Sequence, residues 1–124
     1  MKDLYNLKVA SVESEFRVVL NAGEVDGMRT GMTFVIFELG DDIIDPDTGD
    51  SLGQLERVKG KIEITHVQEK MSVGISSDFT KQRIPVPARN ALSGGLFGST
   101  EYEERQIRKK LSDPQIGNLA RRTS

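Results

Sequence analysis

Three glycines, Gly23, Gly27 and Gly31, are spaced four residues apart between two apolar runs of the chain. The first run ends at Leu20, and the second, stronger run covers residues 34–37. Glycine adopts positive φ values that strain other residues, so this spacing predicts sharp bends that carry the chain from one strand into the next. A connection of this kind is typical of the rim of a small β-sheet or barrel.

Short stretches with alternating apolar side chains follow one another along the first 80 residues. The clearest alternation covers residues 61–67, where Ile62 and Ile64 are expected to point inward. In the last predicted strand, Val73 and Ile75 belong to the apolar face. The predicted strands cover residues 7–12, 16–20, 33–39, 52–58, 61–67 and 71–79. Because they show no helical period, the sequence predicts an all-β fold, a small SH3-like barrel of five or six strands.

A long acidic excursion follows the stronger apolar run. Asp45, Pro46 and Gly49 predict a turn that proline initiates and glycine closes. The stretch from Asp45 to Glu56 also partly matches the pattern of an EF-hand loop, whose oxygen ligands suit Ca²⁺. The glycine of that motif belongs at the sixth position, where this chain has Asp50, and no predicted helices flank the loop. We therefore interpret the excursion as a structural turn, and the sequence predicts no metal and no cofactor.

The composition argues against several classes of catalysis. The chain has no cysteine, which excludes a thiol nucleophile, a disulfide framework and Cys-ligated zinc. Its single histidine, His66, lies in phase with Ile62 and Ile64, and no second motif accompanies it for acid–base or nucleophilic work. The glycine-spaced stretch lacks the Gly-Lys-Ser/Thr of a phosphate-binding loop. The sequence therefore predicts a protein that is not an enzyme.

Charge and hydropathy bear on partners and location. The formal net charge of −2 and the scarcity of aromatic residues argue against a nucleic-acid partner. An oligonucleotide-binding barrel nevertheless stays the alternative function. No stretch is long and apolar enough to span a membrane, and residues 1–8 lack the apolar core of a signal peptide. The sequence as written predicts a cytoplasmic location, or a periplasmic one if a leader has been removed.

Residues 90–124 are predicted to extend from a barrel domain that covers residues 1–89. Residues 93–99 resemble a flexible linker, and a capping-box pattern predicts one short helix over residues 101–111, followed by a disordered tail. A helix this short is marginally stable alone in water and needs a surface to pack against. That surface could belong to a protein partner, to a second copy in a homo-oligomer or to its own barrel. The apolar residues expected to dock there are Leu96, Phe97, Tyr102, Ile107 and Leu111.

Residues 20–34, 45–53 and 60–67, taken in this order, resemble the C-terminal domain of the flagellar assembly protein FlgT. The first of these stretches is also similar to the β-domains of the rod-shape protein MreC. The resemblance covers residues 7–78 and depends on the order and spacing of turn motifs. It implies a small barrel used for assembly or protein contact, with no catalytic residues to carry over. Together with the predicted docking tail, it favours a non-enzymatic assembly or adaptor module in a bacterial or phage complex.

Overall fold

A computed structural model of the chain describes residues 1–86 and 101–123. In these two ranges the regular structure is almost entirely β, with one short 3-10 turn at Glu24–Asp26. The strands are β1 (Leu7–Val12), β2 (Arg17–Leu20), β3 (Thr33–Ile44), β4 (Ser51–Val67), β5 (Ser72–Ser76), β6 (Phe79–Val86), β7 (Glu101–Arg108) and β8 (Leu119–Arg122). The predicted all-β class is confirmed.

Six strands close into an antiparallel barrel in the order β1-β2-β5-β4-β3-β8. The barrel unit comprises Met1–Asp78 and Lys109–Ser124. The last strand, β8, completes the closure, because Ala120 pairs with Leu7 of β1 on one side and with Ile36 of β3 on the other. Closure matters physically because it pairs backbone groups that an open sheet would leave at its two edges. The predicted barrel of five or six strands is therefore confirmed.

The inward and outward faces of β5 are opposite to those predicted from the sequence. Ser72, Gly74 and Ser76 are buried, whereas Val73 and Ile75 are only half-buried on the opposite face. Alternation alone would place the larger apolar side chains toward the core. The small residues point inward because the neighbouring strands already fill the barrel.

Large inward side chains flank the small ones on β5. Gly74 pairs with Val18 of β2 on one side and with Ile64 of β4 on the other. A Cβ atom at Gly74 would lie 2.5 Å from Cδ1 of Ile62, so a larger residue there would force the Ile62 side chain to shift. The interior is therefore packed by large residues on β2 and β4 against small residues on β5. The buried core residues are Leu7, Val9, Val18, Leu20, Ala22, Met28, Phe34, Ile36, Ile62, Ile64, Leu111 and Ala120.

The helix predicted over residues 101–111 is wrong. Residues 101–108 form β7, which pairs antiparallel with β6 along its whole length, from Phe79 with Arg108 to Val86 with Glu101. The two strands make up a second unit, in which the Arg108 guanidinium lies 4.8 Å from the centre of the Phe79 ring. The ladder to β6 satisfies the backbone groups along one edge of β7, and such long-range pairing overrides a local capping pattern.

The chain rejoins the barrel after β7, so the predicted division at residue 89 differs from the structure. Leu111 is 4% exposed and belongs to the core, and its N–H donates a 2.7 Å hydrogen bond to the carbonyl oxygen of Glu15. Residues 119–122 then form the closing strand β8. The C-terminal segment is thus part of the barrel, and the prediction of a disordered tail that the barrel does not need is corrected.

Candidate functional site

The glycines of the first predicted turn region lie at the barrel rim and serve two different purposes. Gly27 and Gly31 have φ values of +83° and +91°, the left-handed conformation that glycine adopts without strain. Gly23 has extended backbone, but a Cβ atom there would lie 2.2 Å from the carbonyl oxygen of Gln68. The first two glycines therefore bend the chain, and Gly23 permits close packing against the loop between β4 and β5.

Asp26 is the buried carboxylate of this region, and the backbone uses both of its oxygens. The N–H of Lys2 donates to Oδ1 at 2.8 Å, and the N–H of Gly23 donates to Oδ2 at 3.1 Å. These two hydrogen bonds favour the ionised form and lower the pKa of Asp26 below its usual value. A carboxylate held in this way ties the N-terminus to the 3-10 turn, which is a structural role.

His66 is exposed on the barrel surface, although its sequence position predicts the same phase as Ile62 and Ile64. The reason is an extra β4 residue between two pairs of the ladder, that of Ile64 with Gly74 and that of His66 with Val73. An inserted residue of this kind reverses the face of every side chain that follows it. The histidine is thus turned away from the core, and the structure places it next to the outer face of β5.

β3 and β4 continue beyond the barrel as a two-stranded ribbon. β8 pairs with β3 only at residues 34–37, and β5 pairs with β4 only at residues 62–67. The ladder between β3 and β4 continues to the pair of Ile44 with Ser51. Residues 38–57, which we call the arm, therefore pair only with each other among the described strands of the barrel unit. At the usual rise per residue the arm extends about 23 Å past the last barrel pairs.

Large apolar side chains of the arm are exposed. Their exposed fractions run from 40% at Ile43 to 65% at Leu52. A two-stranded ribbon without a packed face is marginal in water, and contiguous exposed apolar surface commonly marks an interaction site. The exposed apolar residues of the arm are Leu39, Ile43, Ile44, Leu52 and Leu55. This surface is the candidate functional site of the barrel unit.

The arm is also strongly acidic. Residues 38–57 contain seven Asp and Glu residues and one Arg, a formal net charge of −6, while the whole chain carries −2. The rest of the chain therefore carries a formal charge of +4. Apolar side chains among an excess of carboxylates create a surface that attracts cations and repels anions.

The acidic tip of the arm is built by hydrogen bonds. The N–H of Gly49 donates to the carbonyl oxygen of Asp45 at 2.8 Å, and the N–H of Asp47 donates to the Asp45 carboxylate at 2.9 Å. Pro46 lies within the turn, and Gly49 has a φ of +77°. Within residues 1–86 and 101–123, no three His, Asp or Glu side chains come together in a way that could hold a metal ion.

The root of the arm is fastened to the closing strand of the barrel. The Arg121 guanidinium of β8 lies 4.8 Å from the centre of the Phe37 ring and forms two hydrogen bonds with the Glu56 carboxylate, at 2.8 Å and 3.2 Å. This bidentate contact raises the pKa of Arg121 further above its usual value. At the opposite side of the root, the ammonium of Lys59 lies 3.6 Å from the Glu38 carboxylate.

Of the five residues predicted for docking, the structure describes the strands or burial of three. Leu96 and Phe97 lie outside the described residues. Tyr102 and Ile107 belong to β7, where Ile107 is half-buried, and Leu111 lies in the barrel core. The sequence patterns did not predict the arm with its exposed apolar side chains. The available signal was an excess of Asp and Glu among apolar residues on two facing stretches of weak strand character.

No helix in the part of the chain that the structure describes is long and apolar enough to cross a membrane. A comparison with protein-family models found no matching family, and a comparison with curated protein sequences found no match.

Proposed function

We propose that the chain is a non-enzymatic assembly or adaptor module in which a small barrel, of the SH3-like kind, presents the arm to a protein partner. The observation that carries the proposal is the set of exposed large apolar side chains on the arm. Leu52 and Leu55 lie on a ribbon that has no packed face within the described barrel unit. Burial of such side chains by a partner would contribute about 1.5 to 3 kcal/mol each before the costs of ordering.

The attachment at the root of the arm supports the same function. A docking element held in one orientation loses less entropy on binding than a flexible one. The Arg121 guanidinium of β8, which lies over the Phe37 ring of the barrel, forms two hydrogen bonds with Glu56 of the arm. The resemblance of residues 7–78 to the barrel domain of FlgT implies a role in assembly, which agrees with this proposal. The proposal itself is based on the arm.

The surroundings of the ionisable groups support a function without catalysis. Both oxygens of the Asp26 carboxylate accept backbone hydrogen bonds, and His66 is exposed at the end of β4. An acid–base mechanism needs a group that is both oriented and available to a substrate. Neither residue combines these two properties in the structure.

The charge of the arm argues against the alternative, an oligonucleotide-binding barrel. Nucleic acids bind through phosphate contacts to Lys and Arg, whereas the arm carries a formal charge of −6. Fluorescence anisotropy with single-stranded DNA and RNA at low salt tests this alternative. Tight binding that weakens steeply with salt would favour it over the assembly function.

Site-specific photo-crosslinking in cells of the native host tests the proposal. A photoreactive amino acid at Leu55 on the arm is compared with one at Ile116, which is an exposed apolar residue of the barrel unit outside the arm. We expect a discrete covalent adduct with a protein from the Leu55 position and none from the Ile116 position. Equal labelling at both positions, or no adduct at Leu55, would refute a docking role for the arm.

A further inference from the structure

We propose that the partner of the arm supplies an extended, basic segment with alternating apolar residues, which adds as a further strand to the free edge of β4. This inference rests on the proposed function and specifies the chemistry of the partner and the way in which it binds.

One edge of β4 is free along the arm, and β4 is regular over residues 54–58. β3 occupies the other edge, and on the free side β5 pairs only with residues 62–67. Residues 54–58 contain no inserted residue, and no described strand of the barrel unit pairs with their outer edge. Their outward N–H and C=O groups form a template to which an extended peptide can add by backbone hydrogen bonds.

The free edge of β3 is a poorer template. The ladder is irregular between Leu39 and Asp42, where β3 contains one residue more than β4. An irregularity of this kind bends the strand and interrupts the row of hydrogen-bonding groups, which is a common protection of sheet edges. Strand addition is therefore expected on β4 and not on β3.

The charge of the arm determines the composition of the added strand. Glu38 and Glu56 of the arm are paired with Lys59 and Arg121. The other five carboxylates all lie within residues 41–50, and this end of the arm attracts Lys and Arg side chains. The exposed side chain of Leu55 lies within the free edge and offers an apolar contact on one face of the added strand. Because side chains alternate along a strand, a segment with alternating basic and apolar residues satisfies both requirements.

Charge also argues against a second copy of the arm as the occupant. Edge-to-edge pairing of two identical arms would bring two surfaces of formal charge −6 into contact. Like charges facing each other across a strand pair are destabilising. The occupant is therefore expected to be a different, basic segment.

Peptide binding to the full chain tests this inference. The probe is a short labelled peptide of alternating Lys and Val, and the charge control is the same pattern with Glu in place of Lys. We expect the Lys–Val peptide to bind at low ionic strength, the Glu–Val peptide to bind at least tenfold more weakly, and the affinity to fall as salt is added. Equal binding of the two peptides would overturn the charge requirement.

Backbone methylation separates strand addition from simple charge attraction. In one peptide the N-methyl groups are placed on every second residue, and in another they are shifted by one residue. In an added strand only one set of N–H groups faces β4, so one methylation register should reduce affinity at least tenfold while the other is tolerated. Equal affinity of the two methylated peptides would overturn the strand-addition mode.

Variants of the chain locate the binding surface. Leu55→Gln should reduce the affinity for the Lys–Val peptide at least tenfold through loss of the apolar contact without a change of charge, and Ile116→Gln should leave it unchanged. Both side chains are exposed and outside the core, so both variants should keep the melting temperature of the parent chain. Equal effects of the two variants, or dimers in sedimentation that Leu55→Gln abolishes, would overturn the assignment.

The outcomes distinguish this inference from the proposed function. If the arm forms an adduct with a protein in cells but the Lys–Val peptide does not bind, strand addition by a basic segment is wrong and the docking function stands. If the arm forms no adduct in cells, the docking function itself is wrong, whatever the peptides do.

Discussion

Replacement of Leu111 by alanine tests whether the C-terminal segment belongs to the barrel core. The side chain is 4% exposed and lies over Gly60, where an added Cβ atom would be 2.6 Å from its Cδ2 atom. Truncation of a buried leucine to alanine costs about 2 to 5 kcal/mol. Leu111 lies beside a strand irregularity where neighbours can relax into the cavity, so we expect the lower part of this range, about 2 to 3 kcal/mol. For a chain of this size that corresponds to a fall in melting temperature of about 8 to 12 °C.

The assay for this change is urea unfolding followed by circular dichroism, with Ile116→Ala as the matched control. Ile116 comes from the same segment but is 71% exposed, so its truncation should change the free energy of unfolding by less than about 0.5 kcal/mol. The dependence of this free energy on urea should stay the same in both variants. If Leu111→Ala is as mild as Ile116→Ala, Leu111 is not a core residue, and the reasoning that places the C-terminal segment in the barrel fails.

Three other changes test the rim and the root of the arm. Gly23→Ala should lower the melting temperature more than Gly31→Ala, because the new Cβ atom at Gly23 would overlap the backbone of the facing loop. A Cβ atom at Gly31 has open space, so that variant should lose only about 1 kcal/mol of stability, from the strain of a positive φ. Asp26 has a lowered pKa, so its stabilising effect is present above the usual value of 3.8 and is lost as the pH falls through the lower folded-state pKa. The stability difference between the parent chain and Asp26→Asn should therefore shrink in urea titrations below that value, and a constant difference would contradict this. Arg121→Ala and Glu56→Gln should be non-additive in a double-mutant cycle of unfolding free energies, whereas additive effects would show that the two side chains do not act together.

Local patterns were sufficient for the parts of the fold that depend on near neighbours in the chain. The alternation of Ile62 and Ile64 predicted their burial, and both side chains are inside the barrel. Gly27 and Gly31 have the positive φ values for which glycine is favoured. In each case the determining interactions lie within a few residues or on one face of a single strand, so the sequence contains the information directly.

Other features depend on contacts between distant parts of the chain. β8 is only four residues long and becomes a strand because Ala120 finds partners on both β1 and β3. β7 has a sequence with helix-like ends, and its pairing with β6 decides its conformation. Gly74 faces inward because Val18 and Ile64 on the flanking strands occupy the interior. No local pattern contains these pairings, so the sequence patterns predicted a helix in place of β7 and did not predict the closing strand or the arm.

The structure separates the residues that stabilise the barrel from those proposed to bind a partner, although both groups share the same two strands. The barrel halves of β3 and β4 contribute Phe34 and Ile62 to the core, whereas the arm halves expose Leu52 and Leu55. Substitutions in the arm should therefore alter binding with little effect on stability, and core substitutions should do the opposite. Arg121 is the exception, since it lies on the closing strand and also holds the root of the arm. A change at this residue should affect both properties, because the barrel and the arm meet there.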